Sequence, residues 1–154
     1  YTALTGLFTV IRCPARRIIL MEKSYSANDE YASMKFELME ENYHGKYYSV
    51  IGDNRVGSEI SMDRILEGDY TTYDGLFLLD PNGPETIPEG NYLSILYRGR
   101  APQNDVYIPM MLDYARRNGL KIVGPVLELI WLDMHASKDS SEWATELQAL
   151  LADD

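Results

Sequence analysis

Apolar and polar positions set the elements along this chain. In "LFTVIR" (7–12) and "ARRIILMEKSY" (15–25) the runs of β-branched and aromatic residues predict strands joined at Cys13-Pro14. The spacing then changes. Tyr31, Met34 and Leu38 form an i, i+3, i+7 stripe, which predicts a helix packed on one face. Asn28 can cap it, Asp29 and Glu30 suit its positive end, and Gly45 closes it. "KYYSVI" predicts a strand, "GDNRVG" a turn, the stretch near Ser58–Ser61 a short strand and "SMDRILEG" a capped turn. "YDGLFLLD" is another strand, and "DPNGPETIPEG" (80–90) is turn-rich and marks a midpoint.

The second half repeats the scheme. "NYLSILYRG" reads as a strand, and Tyr107, Met110, Met111 and Tyr114 form a helical stripe. Pro109 sets that helix's start near Asp105 or kinks it, and Gly119 closes it. "KIVGPVLELIWLD" is a strand with a bend at Gly124-Pro125. Strand, helix and strands recurring in this order point to an internal duplication. The expectation is one α+β domain over 1–154, with a first module of about 1–80 and a second of about 87–154. The last segment, "SSEWATELQALLADD", is contested. Its Ser cap and its Ala, Glu, Gln and Leu favour a helix. A duplication instead requires a third strand there.

Composition narrows the function. With Cys13 as the one cysteine, an internal disulfide and a Cys-based zinc site are excluded, and a reducing, cytoplasmic setting is expected. No apolar run approaches the roughly 20 residues of a membrane span. A net charge of −10 argues against gripping nucleic-acid phosphates and suits cationic ligands. The chain begins at Tyr1, not Met, so the expectation is a piece of a longer protein.

One position demands a chemical explanation. Glu128 stands in "VLELIWLDMH" (126–135) between Val126-Leu127 and Leu129-Ile130-Trp131-Leu132. On a strand it shares a face with Val126, Ile130 and Leu132, while Leu127, Leu129 and Trp131 take the other. A cation arriving within about 4 Å gains roughly 4 kcal/mol at an effective dielectric near 20, less the cost of drying both ions. Backbone amides, a tyrosine hydroxyl or an arginine could serve the acid equally well. Tyr92 and Tyr97 fall on opposite faces of one strand, and Tyr107 and Tyr114 occupy a helical stripe that reads first as core.

Signals for catalysis are weak. There is no GxSxG motif, and "GDNRVG" lacks the lysine and the strand–helix context of a phosphate loop. His44 and His135 are not spaced as metal ligands on one element. No metal, no cofactor and no enzymatic activity are expected.

The pattern "IPEGNYLSILYRG", the helix ending "YARRNGL", then "VLELIWLD" and "EWATELQALL" resembles the gyrase-inhibitor-like (GyrI-like) effector-binding domains, similar to the C-terminal drug-binding domains of MerR-type multidrug regulators. The resemblance is specific over 87–150 and loose before it. It implies two strand–helix–strand–strand modules related by pseudo-two-fold symmetry, with an antiparallel sheet and a ligand cleft between them. It also implies that the terminal segment is a strand. Glu128 matches the family's cleft acid, which pairs with lipophilic cations. Trp143 matches an aromatic wall, Tyr48 or its neighbour Tyr47 another, and Tyr31 a third, with Ile130 and Tyr107 as further candidates. The family often places a tyrosine one or two positions after its acid; Leu129 and Ile130 stand there instead.

The function implied is a drug-sensing domain of a transcriptional regulator, taking a lipophilic cationic or aromatic effector. It touches DNA only through an upstream domain outside this chain, and forms a homodimer in the full-length protein. The alternatives are a stand-alone small-molecule hydrolase, since some relatives open small cyclopropane-bearing compounds, or a drug-sequestering protein.

Overall fold

The computed structural model describes residues 7–21, 25–26, 56–98, 103–131 and 144–153, with 21, 25, 26, 56, 130 and 131 described in backbone only. The first-module helix, the "KYYSVI" strand and both histidines lie outside the described residues. Ten strands and two helices are described. The strands are β1 (Thr9–Cys13), β2 (Arg16–Met21), β3 (Tyr25–Ser26), β4 (Val56–Ile60), β5 (Thr72–Tyr73), β6 (Gly75–Leu79), β7 (Glu85–Ile87), β8 (Gly90–Arg98), β9 (Ile122–Trp131) and β10 (Ala144–Leu151). The helices are α1 (Met62–Leu66) and α2 (Asn104–Arg117). None of the described helices is long and apolar enough to cross a membrane.

Eight strands form one antiparallel sheet in the order β1-β8-β10-β9-β4-β6-β2-β7, and β3 pairs with β5 separately. β1 and β2, consecutive in the chain, do not pair: β1 lies on β8, while β2 lies between β6 and β7. Only Pro14 and Ala15 separate them. Such a link spans roughly 10 Å, so opposite ends of the sheet meet and the sheet must curl.

Curling gives the sheet two unlike faces. The inner face gathers Cys13, Ile18, Phe77, Ile87, Tyr92, Leu127 and Leu129 from strands at both ends. The outer face is covered by the helices: Ile65 of α1 and Ile108, Met111 and Ala115 of α2 pack on Leu76, Leu78, Leu93, Ile95, Val126, Leu147 and Ala149. Along β9 and β10 successive side chains therefore enter different cores, which is why these strands carry so few exposed residues.

The contested terminal segment is a strand. β10 lies between β8 and β9 and pairs with both, and Ala144–Ala149 are buried throughout. Hydrogen bonding on two sides outweighs a helix preference worth only tenths of a kcal/mol per residue. Helix α2 begins at Asn104, with Pro109 inside it, and the chain turns at Gly119 with φ +68°. The bend in β9 falls at a cis Gly124-Pro125 bond. Gly124 has φ +64°, and a Cβ there would come within 2.4 Å of Met62 Cγ, so no side chain fits. Gly57 has a different reason. A Cβ on it would meet the Phe77 ring at 2.5 Å and the Glu128 carbonyl at 2.6 Å, so its bare backbone lets β4 close on β9 beside the acid.

Candidate functional site

Glu128 lies mid-strand on β9, 2% exposed. Its register partners are Leu147 on β10 and Ser58 on β4, and cross-strand partners share a face. The acid therefore faces the helical side, in one row with Ile95, Leu147, Ser58 and Leu76. Its carboxylate is met by a phenol. The Tyr73 hydroxyl, itself fully buried, donates to Glu128 Oε2 at 2.5 Å.

Tyr73 reaches that point because the loop before it is tied down. Ser61 caps α1 by accepting from the Arg64 N–H at 3.4 Å, while its own N–H donates to Asp74 Oδ2 at 2.8 Å. Arg64 Nε donates to Asp74 Oδ1 at 2.8 Å. Asp69 Oδ1 accepts the N–H groups of Thr71 and Thr72. A hydrogen bond from the Thr72 side chain foremost, helped by these backbone bonds and by Arg64, holds Asp69 below the usual carboxylate range against the effect of burial. Burial pushes Asp74 up, but Arg64 and the Ser61 N–H overcome it and leave it lowered.

The network continues into α2. Asn104, the first residue of that helix and 1% exposed, donates its amide N–H groups to the Tyr73 hydroxyl and the Tyr70 carbonyl, both at 3.0 Å. Next to it, the Tyr97 hydroxyl accepts the Gln103 N–H at 3.2 Å, and the Tyr97 ring stacks on Tyr107 with centroids 4.6 Å apart. Burial first, then the negative charge of Glu128, pushes the phenols of Tyr73 and Tyr97 far up, so both remain protonated donors. Chemically, the arrangement is a buried acid within neutral phenol and amide groups: able to attract a cation, with no activated nucleophile among the described residues.

The sequence candidates divide as follows. Glu128 is buried on the helical face, and half-buried Tyr107 reaches its neighbourhood through Tyr97. Ile130 is described in backbone only, opposite Thr145. Trp143, Tyr48, Tyr47 and Tyr31 lie outside the described residues. Tyr92 and Tyr97 do face opposite cores, Tyr92 inward and Tyr97 toward the helices. Sequence reading missed Tyr73 and Asn104. The phenol that the resemblance places just after the acid comes here from β5, a strand remote in the chain, and nothing local marks either residue.

A second polar cluster, also missed, lies on the inner face. Glu146, 8% exposed, accepts at Oε2 from the Ser94 hydroxyl at 2.6 Å and the Gln148 amide at 2.8 Å. Gln148 Oε1 accepts from Arg16 Nη1 at 3.0 Å, and that guanidinium sits 5.1 Å over the Tyr92 ring. Burial pushes the neighbouring Cys13 thiol up, against the pull of Arg16. A buried thiol held protonated is a packing residue, not a nucleophile.

With this geometry in view, comparison with solved structures shows that the chain shares its fold with known proteins. The chain is similar to the EcmrR C-terminal domain at TM-score 0.63, with 13% identity over 94% of this chain and 96% of that one. It is similar to SAV2435, solved bound to tetraphenylphosphonium, at TM-score 0.59, with 10% identity over 95% of this chain and 94% of that one. A Staphylococcus aureus MU50 protein described as a bacterial transcription regulation protein matches at TM-score 0.53, with 10% identity over 94% of this chain and 97% of that one. No protein-family model and no curated protein sequence matches the chain.

Proposed function

We propose that this chain is the small-molecule-sensing domain of a transcriptional regulator, and that it takes lipophilic cationic or aromatic molecules on the sheet face that carries Glu128. The observation that carries the reading is a carboxylate at 2% exposure, bonded by a phenol and set beside the Tyr97–Tyr107 pair. Buried acid supplies the charge, and stacked rings supply apolar area and cation–π attraction of roughly 0.5–2 kcal/mol. The fold shared with a structure bound to a lipophilic cation supports the same reading.

In this reading residues 1–154 form two modules, about 1–80 and 87–154. The order of strands on either side of the β4–β9 junction supports them. The second half runs β8-β10-β9 and the first half contributes β2-β6-β4, so each set of three neighbouring strands lies in the order earliest, latest, middle along the chain. Ile130, Trp143, Tyr31 and one of Tyr47 and Tyr48 complete the ligand's walls. DNA is contacted by a domain upstream of this chain, the regulator is a cytoplasmic homodimer, and the domain does no chemistry on its ligand.

Titration of tetraphenylphosphonium, followed by tryptophan fluorescence, tests the reading. Glu128→Gln is expected to weaken binding at least several-fold. Affinity unchanged by that substitution removes charge pairing from the mechanism.

A further inference from the structure

Asn104 determines more than the position of Tyr73. Its amide nitrogen lies 3.0 Å from two oxygens, the Tyr70 carbonyl and the Tyr73 hydroxyl. A carbonyl only accepts, so Tyr70 fixes which end of the amide is nitrogen; turning the group over would set two acceptors against each other. Both N–H bonds are thereby used. The other end, Oδ1, is buried and receives no hydrogen bond among the described residues. Tyr73 cannot serve it, because its single proton is donated to Glu128. Ser58, the register partner of Glu128 on β4 and fully buried, likewise has a hydroxyl with no hydrogen-bond partner among the described residues.

Such groups are rare in folded proteins, because a dry acceptor without a donor forfeits the hydrogen bond it had to water. Among the described residues two such atoms, Nε and Nη2 of Arg16, are donors on the inner face; the other two belong to one network, in which Asn104 and Tyr73 lead to Glu128 and Ser58 stands opposite it. Building on the proposal that this face takes a cation, we infer that the cation carries N–H bonds. The ligand class is a protonated primary or secondary amine attached to an apolar body, with its charge toward Glu128 and one N–H donated to Asn104 Oδ1. A quaternary ammonium or phosphonium brings charge and apolar surface but no donor, and leaves Oδ1 as it was. A site built to hydrogen-bond its ligand discriminates strongly against an analogue that lacks the bond.

A matched pair of probes separates this inference from the reading beneath it. Calorimetric titrations at neutral pH compare protonated 4-phenylbenzylamine with its N,N,N-trimethylammonium derivative, on the unaltered chain, on Asn104→Leu and on Glu128→Gln. The unaltered chain is expected to prefer the primary ammonium by roughly tenfold or more, the weight of one hydrogen bond to a charged group. Folded Asn104→Leu is expected to lose that preference while Glu128→Gln weakens both probes. Equal affinity for the two probes, or tighter binding of the trimethyl compound, overturns the N–H inference and leaves the Glu128 site standing. A preference that survives in folded Asn104→Leu overturns the role of Asn104. Binding of neither probe at millimolar concentration removes the cation site and this inference with it. The ratio on the unaltered chain decides the matter even where Asn104→Leu does not fold.

Discussion

Glu128 and Glu146 are one strand apart, similarly buried, and face opposite cores. Their surroundings differ in reach. Glu146 is served by Ser94 on the adjoining strand and by Gln148 two residues along its own, with Arg16 of β2 behind Gln148. Glu128 is served by Tyr73 of β5, which is positioned in turn by Asn104 of α2 and by the loop around Asp74. The inner cluster thus draws on sheet register and a guanidinium. The outer one draws on a helix terminus and a tied loop, and among the described residues its buried Asn104 Oδ1 and Ser58 Oγ have no hydrogen-bond partner, as Nε and Nη2 of Arg16 have none in the inner one. The open groups of the inner cluster are guanidinium donors, which a cation cannot use, whereas those of the outer cluster can accept a hydrogen bond.

Several substitutions can break that contrast. Glu146→Ala strands the Ser94 and Gln148 donors and removes negative charge near Arg16. It is expected to cost about 3 kcal/mol in chemical denaturation, and a loss well under 1 kcal/mol would refute a structural role for Glu146. Tyr73→Phe removes the donor to Glu128 and the acceptor for Asn104, with an expected loss of about 2 kcal/mol by the same measurement.

Alkaline pH discriminates next. The folded phenols of Tyr73 and Tyr97 are raised above the ordinary 10.0. Their contribution is therefore complete below pH 10 and is lost above it, as the unfolded phenols ionise while the folded ones do not. The expected slope is about 1.4 kcal/mol per pH unit for each phenol, and Tyr73→Phe should remove one phenol's share. The smallest effect is the sharpest control: Glu146→Gln should leave tetraphenylphosphonium affinity unchanged, where Glu128→Gln weakens it.

How much of this was legible in the chain depends on the distance over which each signal acts. The strand around Glu128 was visible because apolar neighbours at 126, 127, 129 and 130 leave an acid conspicuous. The closing of α2 near Gly119 and the bend at Gly124-Pro125 were visible because their chemistry is local. Tyr73 was not, since a tyrosine at the head of "YDGLFLLD" looks the same whether it packs in a core or reaches a carboxylate. The inner cluster was hidden by the ambiguity of its segment: read as a helix, "ATELQALL" spreads Glu146 and Gln148 around an axis, and only as a strand do they share a face.

The sequence by itself determined the strand periodicity, the acidic balance and the burial of Glu128, because hydrophobic patterning acts within a few residues along the chain. Only the tertiary structure decided which partners that acid meets, that β10 is a central strand, and that opposite ends of the sheet meet through Pro14 and Ala15. The reason is that hydrogen-bond satisfaction in a core is settled among groups far apart in sequence, and only the folded chain brings them within 3 Å.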